Sequence, residues 1–206
     1  VKGQTIHSFF KFKPGITLEK VKKIVKDRKQ NLYQAADTIV IDEISMVRAD
    51  LLDCVDRFLR LNCVPPRKPF GGKQMVFIGD LYQLPPVIKG KEKEIFKNRY
   101  KTEYFFSAQS FESLPMEFIE LIKIYRQKDE QFIEILNGIR NKTFTEEQLE
   151  TLNTRCDPDF EPSGEDFYIY LTTLNQLADK LNSEKLHEIG GPACYCLLYT
   201  SPSPRD

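Results

Sequence analysis

The chain has 206 residues, of which 41% are hydrophobic and 12% aromatic, with 30 basic and 30 acidic side chains. That is too much apolar material for a disordered chain and enough to pack one large domain, or one and a half smaller ones. A net charge of zero gives no argument for nucleic acid and does not exclude it, because a local basic groove suffices. No apolar run approaches the ~18 residues of a membrane helix, so no membrane partner is expected. The five cysteines form no CxxC pair and fit thiols kept reduced, in a bacterial cytoplasm or a nucleus.

In chain order, Lys20, Lys22, Lys23, Lys26, Arg28 and Lys29 form a basic run on a predicted short helix that carries Leu18, Val21, Ile24 and Val25. A solvated helix face is the plainer reading, and a phosphate-tracking surface is the alternative. Thr38 to Ile41 is a short run rich in β-branched residues that ends in Asp42-Glu43. Such runs suit parallel strands buried on both faces. A helix is predicted from Asp50, as its cap, with Leu51, Leu52, Val55, Phe58 and Leu59 on one face. Pro65-Pro66 and Pro69 are expected to end it.

The next strand spans Lys73 to Ile78. Strand, crossover helix and strand make the βαβ unit of an α/β fold. Beyond Pro85-Pro86, Lys89 to Lys101 is charged and expected to be partly helical. Tyr104 to Phe106 and Glu117 to Leu121 read as further strands. Phe132, Ile135, Leu136 and Ile139 recur at amphipathic helix spacing. Thr145 and Gln148 have capping-box spacing ahead of Leu149 and Leu152. Asp157 to Gly164 reads as a loop, Phe167 to Leu171 as a strand and Leu174 to Leu186 as a helix.

In open α/β sheets, ligands bind beyond the carboxyl ends of the strands. Two strands end there in polar groups, Asp42-Glu43 on one, Asp80 and Gln83 on the other. Four apolar residues followed by Asp-Glu is a Walker B pattern. An aspartate at a strand tip can hold Mg²⁺ while the ion keeps part of its water shell. A neighbouring glutamate can deprotonate the water that attacks a γ-phosphate. A glutamine on the adjacent tip can bond both that water and the phosphate. The two prolines donate no backbone hydrogen bond, so they are expected to stop the second strand and stiffen the loop around Gln83.

TIHSFF (5–10), VIDEISMV (40–47), DLLDCVDRFLR (50–60), PFGGKQMVFIGDLYQLPPV (69–87) and IYRQKDEQFIEILNGIRN (124–141) together resemble the PIF-type DNA helicases of helicase superfamily one. The likeness covers residues 1–190, with the motifs in order. The PFGG segment separates this family from its RecD-like relatives. The resemblance implies a recA-like P-loop ATPase core, α/β with a mainly parallel sheet flanked by helices. A partial first recA-like domain is expected over 1–120 and the start of a second over 121–190.

It further implies an ATP-dependent 5′-to-3′ DNA helicase serving DNA repair, recombination and genome maintenance. Its partners would be ATP, Mg²⁺, single-stranded DNA and DNA forks, and a monomer is expected. Asp42 would bind the metal and the nucleotide, Glu43 would be the catalytic base, and Gln83 the γ-phosphate sensor. Arg126 would be an arginine finger, worth about 10³–10⁵ in rate. Thr5, His7, Ser8 and Phe9 would touch DNA, the hydroxyls on phosphate oxygens and the rings by stacking. The alternative for Phe9 and Phe10 is core packing, and for His7 a satisfied buried imidazole.

A P-loop needs G-x-x-x-x-G-K-[ST]. Gly72-Lys73 is followed by Gln74 and Gly90-Lys91 by Glu92, so neither fits. The family carries its P-loop a few dozen residues before TIHSFF, which sets the expectation that it lies upstream of Val1 and that this segment alone neither binds ATP well nor unwinds DNA. CLLYTSPSPRD, Cys196 to Asp206, looks like a sequencing adapter translated in one frame. Disorder is expected over 191–206. Three other functions compete: a RecD-like motor subunit of a nuclease complex, disfavoured by PFGG; a degenerate DNA-binding module, disfavoured by the retention of Asp42, Glu43, Gln83 and Arg126 together; and a kinase-like P-loop transferase, which would need neither TIHSFF nor YRQ.

Overall fold

The computed structural model describes residues 3–24, 30–64, 68–88, 90, 92–112, 114–161 and 168–191. The readings placed on Lys26, Arg28, Lys29, Pro65-Pro66 and the tail from 192 onward lie outside these residues. The chain divides into two compact units, Val1–Ile122 and Lys123–Asp206.

In the first unit the elements are α1 (Ile6–Phe10), α2 (Gln30–Ala35), β1 (Thr38–Ile41), α3 (Ala49–Asn62), β2 (Gln74–Phe77), α4 (Glu92–Lys97) and α5 (Gln109–Glu112). β1 and β2 pair in parallel, Thr38 with Gln74 through Ile41 with Phe77. α3 is the crossover between them, as the βαβ pattern predicts. It is also the centre of the core. Leu52, Val55 and Leu59 have no exposed surface, and burying each side chain contributes about 1.5–3 kcal/mol. Phe10, Phe12, Tyr33 and Phe58 form an aromatic cluster against α3, with ring centroids 4.9–6.0 Å apart.

The PFGG segment folds into a tight 3₁₀ turn over Pro69–Gly72 that docks on the C-terminal half of α3. Asp56 reaches out of α3 and accepts the Phe70 amide at 2.6 Å. That bond holds Phe70 in left-handed backbone (φ 50°) while its ring is fully buried. Gly71 also has positive φ, and a methyl group there would meet the Leu59 carbonyl oxygen at 2.7 Å. Only glycine satisfies both conditions. The turn leads directly into β2.

Several expectations are corrected. The α3 N-cap is Arg48, with no side-chain cap bond, and Asp50 lies in the first turn, where it holds the Arg48 guanidinium. Over its described residues, 18–24, the predicted basic helix is a single 3₁₀ turn, Leu18–Lys20, followed by irregular chain. There the Ile24 amide is drawn to the Asn62 side chain at 2.8 Å. Tyr104 forms an isolated bridge to Arg48, and Phe105–Ser107 is a 3₁₀ turn rather than a strand. Residues 117–121 and 168–171 form no strand. Alternating apolar side chains make a strand only beside a pairing edge, and among the described residues they have none. β1 is covered on one face only: Ile39 and Ile41 are buried, but Val40 is 57% exposed.

In the second unit α6 (Glu130–Asn141), α7 (Glu146–Asn153) and α8 (Asn175–Glu188) follow. α6 carries the expected apolar face and α8 the expected helix. The Thr145–Gln148 capping box is present in both directions, at 3.2 and 3.1 Å. α6 ends at Lys142 in left-handed conformation.

Candidate functional site

Each strand is four residues long, and both stop at the same end of the sheet because the pairing is parallel. Hydrogen bonding continues one step past the strands. The Ile78 amide donates to Ile41 O at 3.0 Å, and Ile78 O accepts from the Ile44 amide at 2.9 Å. Asp42 and Glu43 are therefore a two-residue excursion pinned on both sides by the backbone of Ile78. Both side chains are exposed.

Glu43 adopts φ 52°, ψ 42°, left-handed backbone uncommon for a non-glycine residue. It begins the 3₁₀ turn Ile44–Met46, which buries Ile44 and Ser45 and so fixes the turn from below. The Glu43 amide donates to Asp42 Oδ1 at 3.0 Å. The other Asp42 oxygen has no protein partner among the described residues. Mg²⁺ needs one or two carboxylates plus waters and phosphate oxygens, so this exposed acid at a strand end fits the ion that the sequence implies.

Gln83 lies on the neighbouring loop. β2 ends at Phe77, well before Pro85, so the prolines do not stop the strand. Asp80 organises the loop instead. It accepts the Tyr82 amide at 3.0 Å on one carboxylate oxygen and the Gln83 side-chain amide at 3.3 Å on the other, while its carbonyl accepts the Gln83 backbone amide at 3.1 Å. Pro86 is buried and anchors the far side of the loop. The strand ends thus present Asp42, Glu43, Asp80 and Gln83 from two adjacent, hydrogen-bonded chain segments.

TIHSFF forms α1 and the turn that caps it. Thr5 Oγ1 accepts the Ser8 amide at 3.1 Å, so its proton is left for a further acceptor. Ser8 is exposed. His7 is half-buried, edge-on to Phe12 at 6.5 Å, and burial lowers its pKa. Phe9 stands edge-on to Phe10 and Tyr33 at 4.9 and 5.3 Å, and its carbonyl accepts the Tyr33 hydroxyl at 2.6 Å. Arg126 belongs to the second unit. It is exposed, on the irregular stretch ahead of α6, next to Gln127, whose side chain accepts the Lys128 and Asp129 amides.

The family model for PIF1-like helicases matches residues 1–150. The chain belongs to the PIF1-like helicase family. It is 33% identical over 199 residues to the ATP-dependent DNA helicase PIF1 of Emericella nidulans, covering 93% of this chain and 25% of that protein. With the ATP-dependent DNA helicase Pif1 of Campylobacter jejuni it shares 32% over 203 residues, 93% of this chain and 43% of the relative. The crystal structure of a Bacteroides Pif1 helicase in complex with ADP-AlF3 and single-stranded DNA superposes with a TM-score of 0.82 at 37% identity, over 92% of this chain and 44% of that one. The chain thus spans between a quarter and a half of the length of these relatives. Its fold is the α/β, recA-like fold of the PIF1-like helicases, represented by a small parallel sheet and flanking helices.

Within that family framework, three residues of the first unit escaped the sequence reading. Asp80, noted only as a polar strand end, holds Gln83. Asp56 holds the PFGG turn. Gly79 stands where the two strand-end segments touch, and a glycine at the end of an apolar strand is itself a sign of close backbone approach.

Proposed function

We propose that this chain is the strand-end portion of the ATP-hydrolysing centre of a 5′-to-3′ DNA helicase. The observation that carries the reading is the parallel pairing that brings Asp42-Glu43 and Asp80-Gln83 to one sheet end, with Ile78 bonded to both Ile41 and Ile44. Glu43 takes the proton from the water that attacks the γ-phosphorus as the bridging oxygen to the β-phosphate departs. Gln83, its side chain already tied to Asp80, exchanges that partner for the water and a γ-phosphate oxygen. Asp42 would hold Mg²⁺, which when bound would supply positive charge to polarise the phosphate oxygens. Arg126 neutralises charge on the transferring phosphoryl group. The nucleotide analogue and single-stranded DNA in the Bacteroides relative support ATP and single-stranded DNA as substrates.

The donor proton of Thr5 and the exposed Ser8 hydroxyl suit DNA phosphates. His7 and Phe9 support the strand from the aromatic cluster behind them. The 206 residues carry no G-x-x-x-x-G-K-[ST], so the phosphate-cradling amides of a P-loop are not supplied by this segment.

The test is strand displacement by the complete gene product on duplexes with either a 5′ or a 3′ single-stranded tail. ATP-dependent unwinding of the 5′-tailed substrate is expected, with a loss of about 10³-fold or more in turnover for Arg126→Ala. Unwinding of the 3′-tailed substrate alone, or an undiminished Arg126→Ala, would overturn the reading. The 206-residue chain by itself is expected to release no phosphate above background.

A further inference from the structure

Between the two loops there is no space for a side chain at residue 79. A methyl group on Gly79 would lie 2.9 Å from Ile44 Cγ2, 3.0 Å from the Ser45 amide nitrogen and 3.1 Å from the Ile44 amide nitrogen. Two of these three neighbours are backbone of the turn that Glu43 opens. The residues around Gly79 are fixed on either side. Ile78 is bonded to Ile41 and Ile44, and Asp80 holds Tyr82 and Gln83. Ile44 and Ser45 are buried and cannot swing away into solvent. Adding one carbon must therefore separate the two segments by a few tenths of an ångström, and the separation is passed to Glu43 on one side and to Gln83 on the other.

We infer that Gly79 is a positioning residue for ATP hydrolysis: by lacking a side chain it lets the Glu43 turn and the Gln83 loop lock against each other, so that base and sensor address the same γ-phosphate. This inference rests on the roles proposed above for Glu43 and Gln83. It makes the strand ends one rigid body, with the Ile78–Ile44 hydrogen bond and the Gly79 contact as its joint. The joint connects the segments of Glu43 and Gln83, the two groups assigned above to the γ-phosphate, so its disturbance is expected to fall on the chemical step and to spare nucleotide binding. Misplacement of catalytic groups on this scale costs rate steeply, up to about 10²-fold for 1 Å.

The experiment compares Gly79→Ala, Gly79→Ala with Ile44→Leu, Ile44→Leu alone and Glu43→Gln in the complete protein. DNA-stimulated kcat, the Kd of a fluorescent ADP and the thermal midpoint are measured for each. Gly79→Ala is expected to fold, to bind ADP within about twofold of wild type and to lose about tenfold or more in kcat well below its midpoint. Ile44→Leu removes the Cγ2 methyl and should return part of that loss. A kcat for Gly79→Ala within twofold of wild type overturns the inference, as does a parallel loss of ADP affinity. Should Gly79→Ala fail to fold, the double variant decides. A kcat below that of Ile44→Leu alone supports the joint, and an equal kcat overturns it. Glu43→Gln separates the two levels: if it keeps turnover, the proposed roles fail, and if it loses turnover while Gly79→Ala keeps it, only the joint fails.

Discussion

Asp53 is 4% exposed in the middle of α3 and accepts the Tyr100 hydroxyl at 2.9 Å, the Ser110 amide at 2.8 Å and the Gln109 amide at 3.2 Å. It fixes the segment after α4 onto the central helix. Asp53→Ala strands three donors and is expected to cost about 3 kcal/mol, read as a lowered urea midpoint of the 206-residue chain. Asp53→Asn keeps an accepting oxygen and should lose less. An unchanged midpoint for Asp53→Ala would contradict this role. Beside it, burial first and then Asp50 and Asp53 push the Cys54 thiol up to about 12. Only thiolate reacts, so native-state alkylation at pH 8 should modify the exposed Cys156 and leave Cys54 intact. Equal rates at the two would refute this. Asp53 and Asp56 lie outside the apolar stripe of Leu51, Leu52, Val55, Phe58 and Leu59 that the spacing shows. Their burial comes from segments far along the chain, Phe70 and Tyr100 to Ser110, which helix periodicity does not reveal.

Local signals gave the elements that depend on local chemistry. The Thr145–Gln148 box and the spacing of Ile135 and Ile139 each specify their own structure within a few residues. Thr145→Ala is accordingly expected to destabilise α7 by about 1 kcal/mol. The loss should appear as faster amide exchange of Gln148, whose N–H the Thr145 hydroxyl accepts, and no change in exchange would contradict the cap. Strands at 104–106 and 117–121 were misread because β structure is specified by a partner edge, and alternation in sequence cannot say whether one is there. The PFGG turn was legible as a pattern but not as a cause. Its reason, a buried Phe70 with positive φ tied to Asp56 and a Gly71 pressed against Leu59, exists only once α3 is formed.

For the molecule as a whole, Cys54, Cys63, Tyr33 and Tyr100 all hold their protons more tightly when folded, chiefly through burial. The folded state then binds more protons than the unfolded one above the ordinary values of 9.0 and 10.0. Stability contributed by these groups is complete below about pH 9 and declines as pH rises beyond it. His7 acts in the opposite sense. Burial lowers its pKa, so the unfolded chain takes up the proton first and stability declines as pH falls through 6.5. Urea midpoints should therefore fall on both sides of a plateau between about pH 7 and 9, and a midpoint still rising at pH 10.5 would refute this. The α/β class, the crossover and the acidic strand ends were legible because each is a short pattern closed by the parallel rule. The joint at Gly79 was not, since contact between two loops is set by packing rather than by spacing. All of the functional account depends on Glu43 acting as the base at that sheet end. The most direct measurement is single-turnover phosphate release by the complete protein with Glu43→Gln, alongside its affinity for ATP. Retained ATP binding with release slowed about 10²-fold or more is expected, and release at the wild-type rate would contradict this role of Glu43.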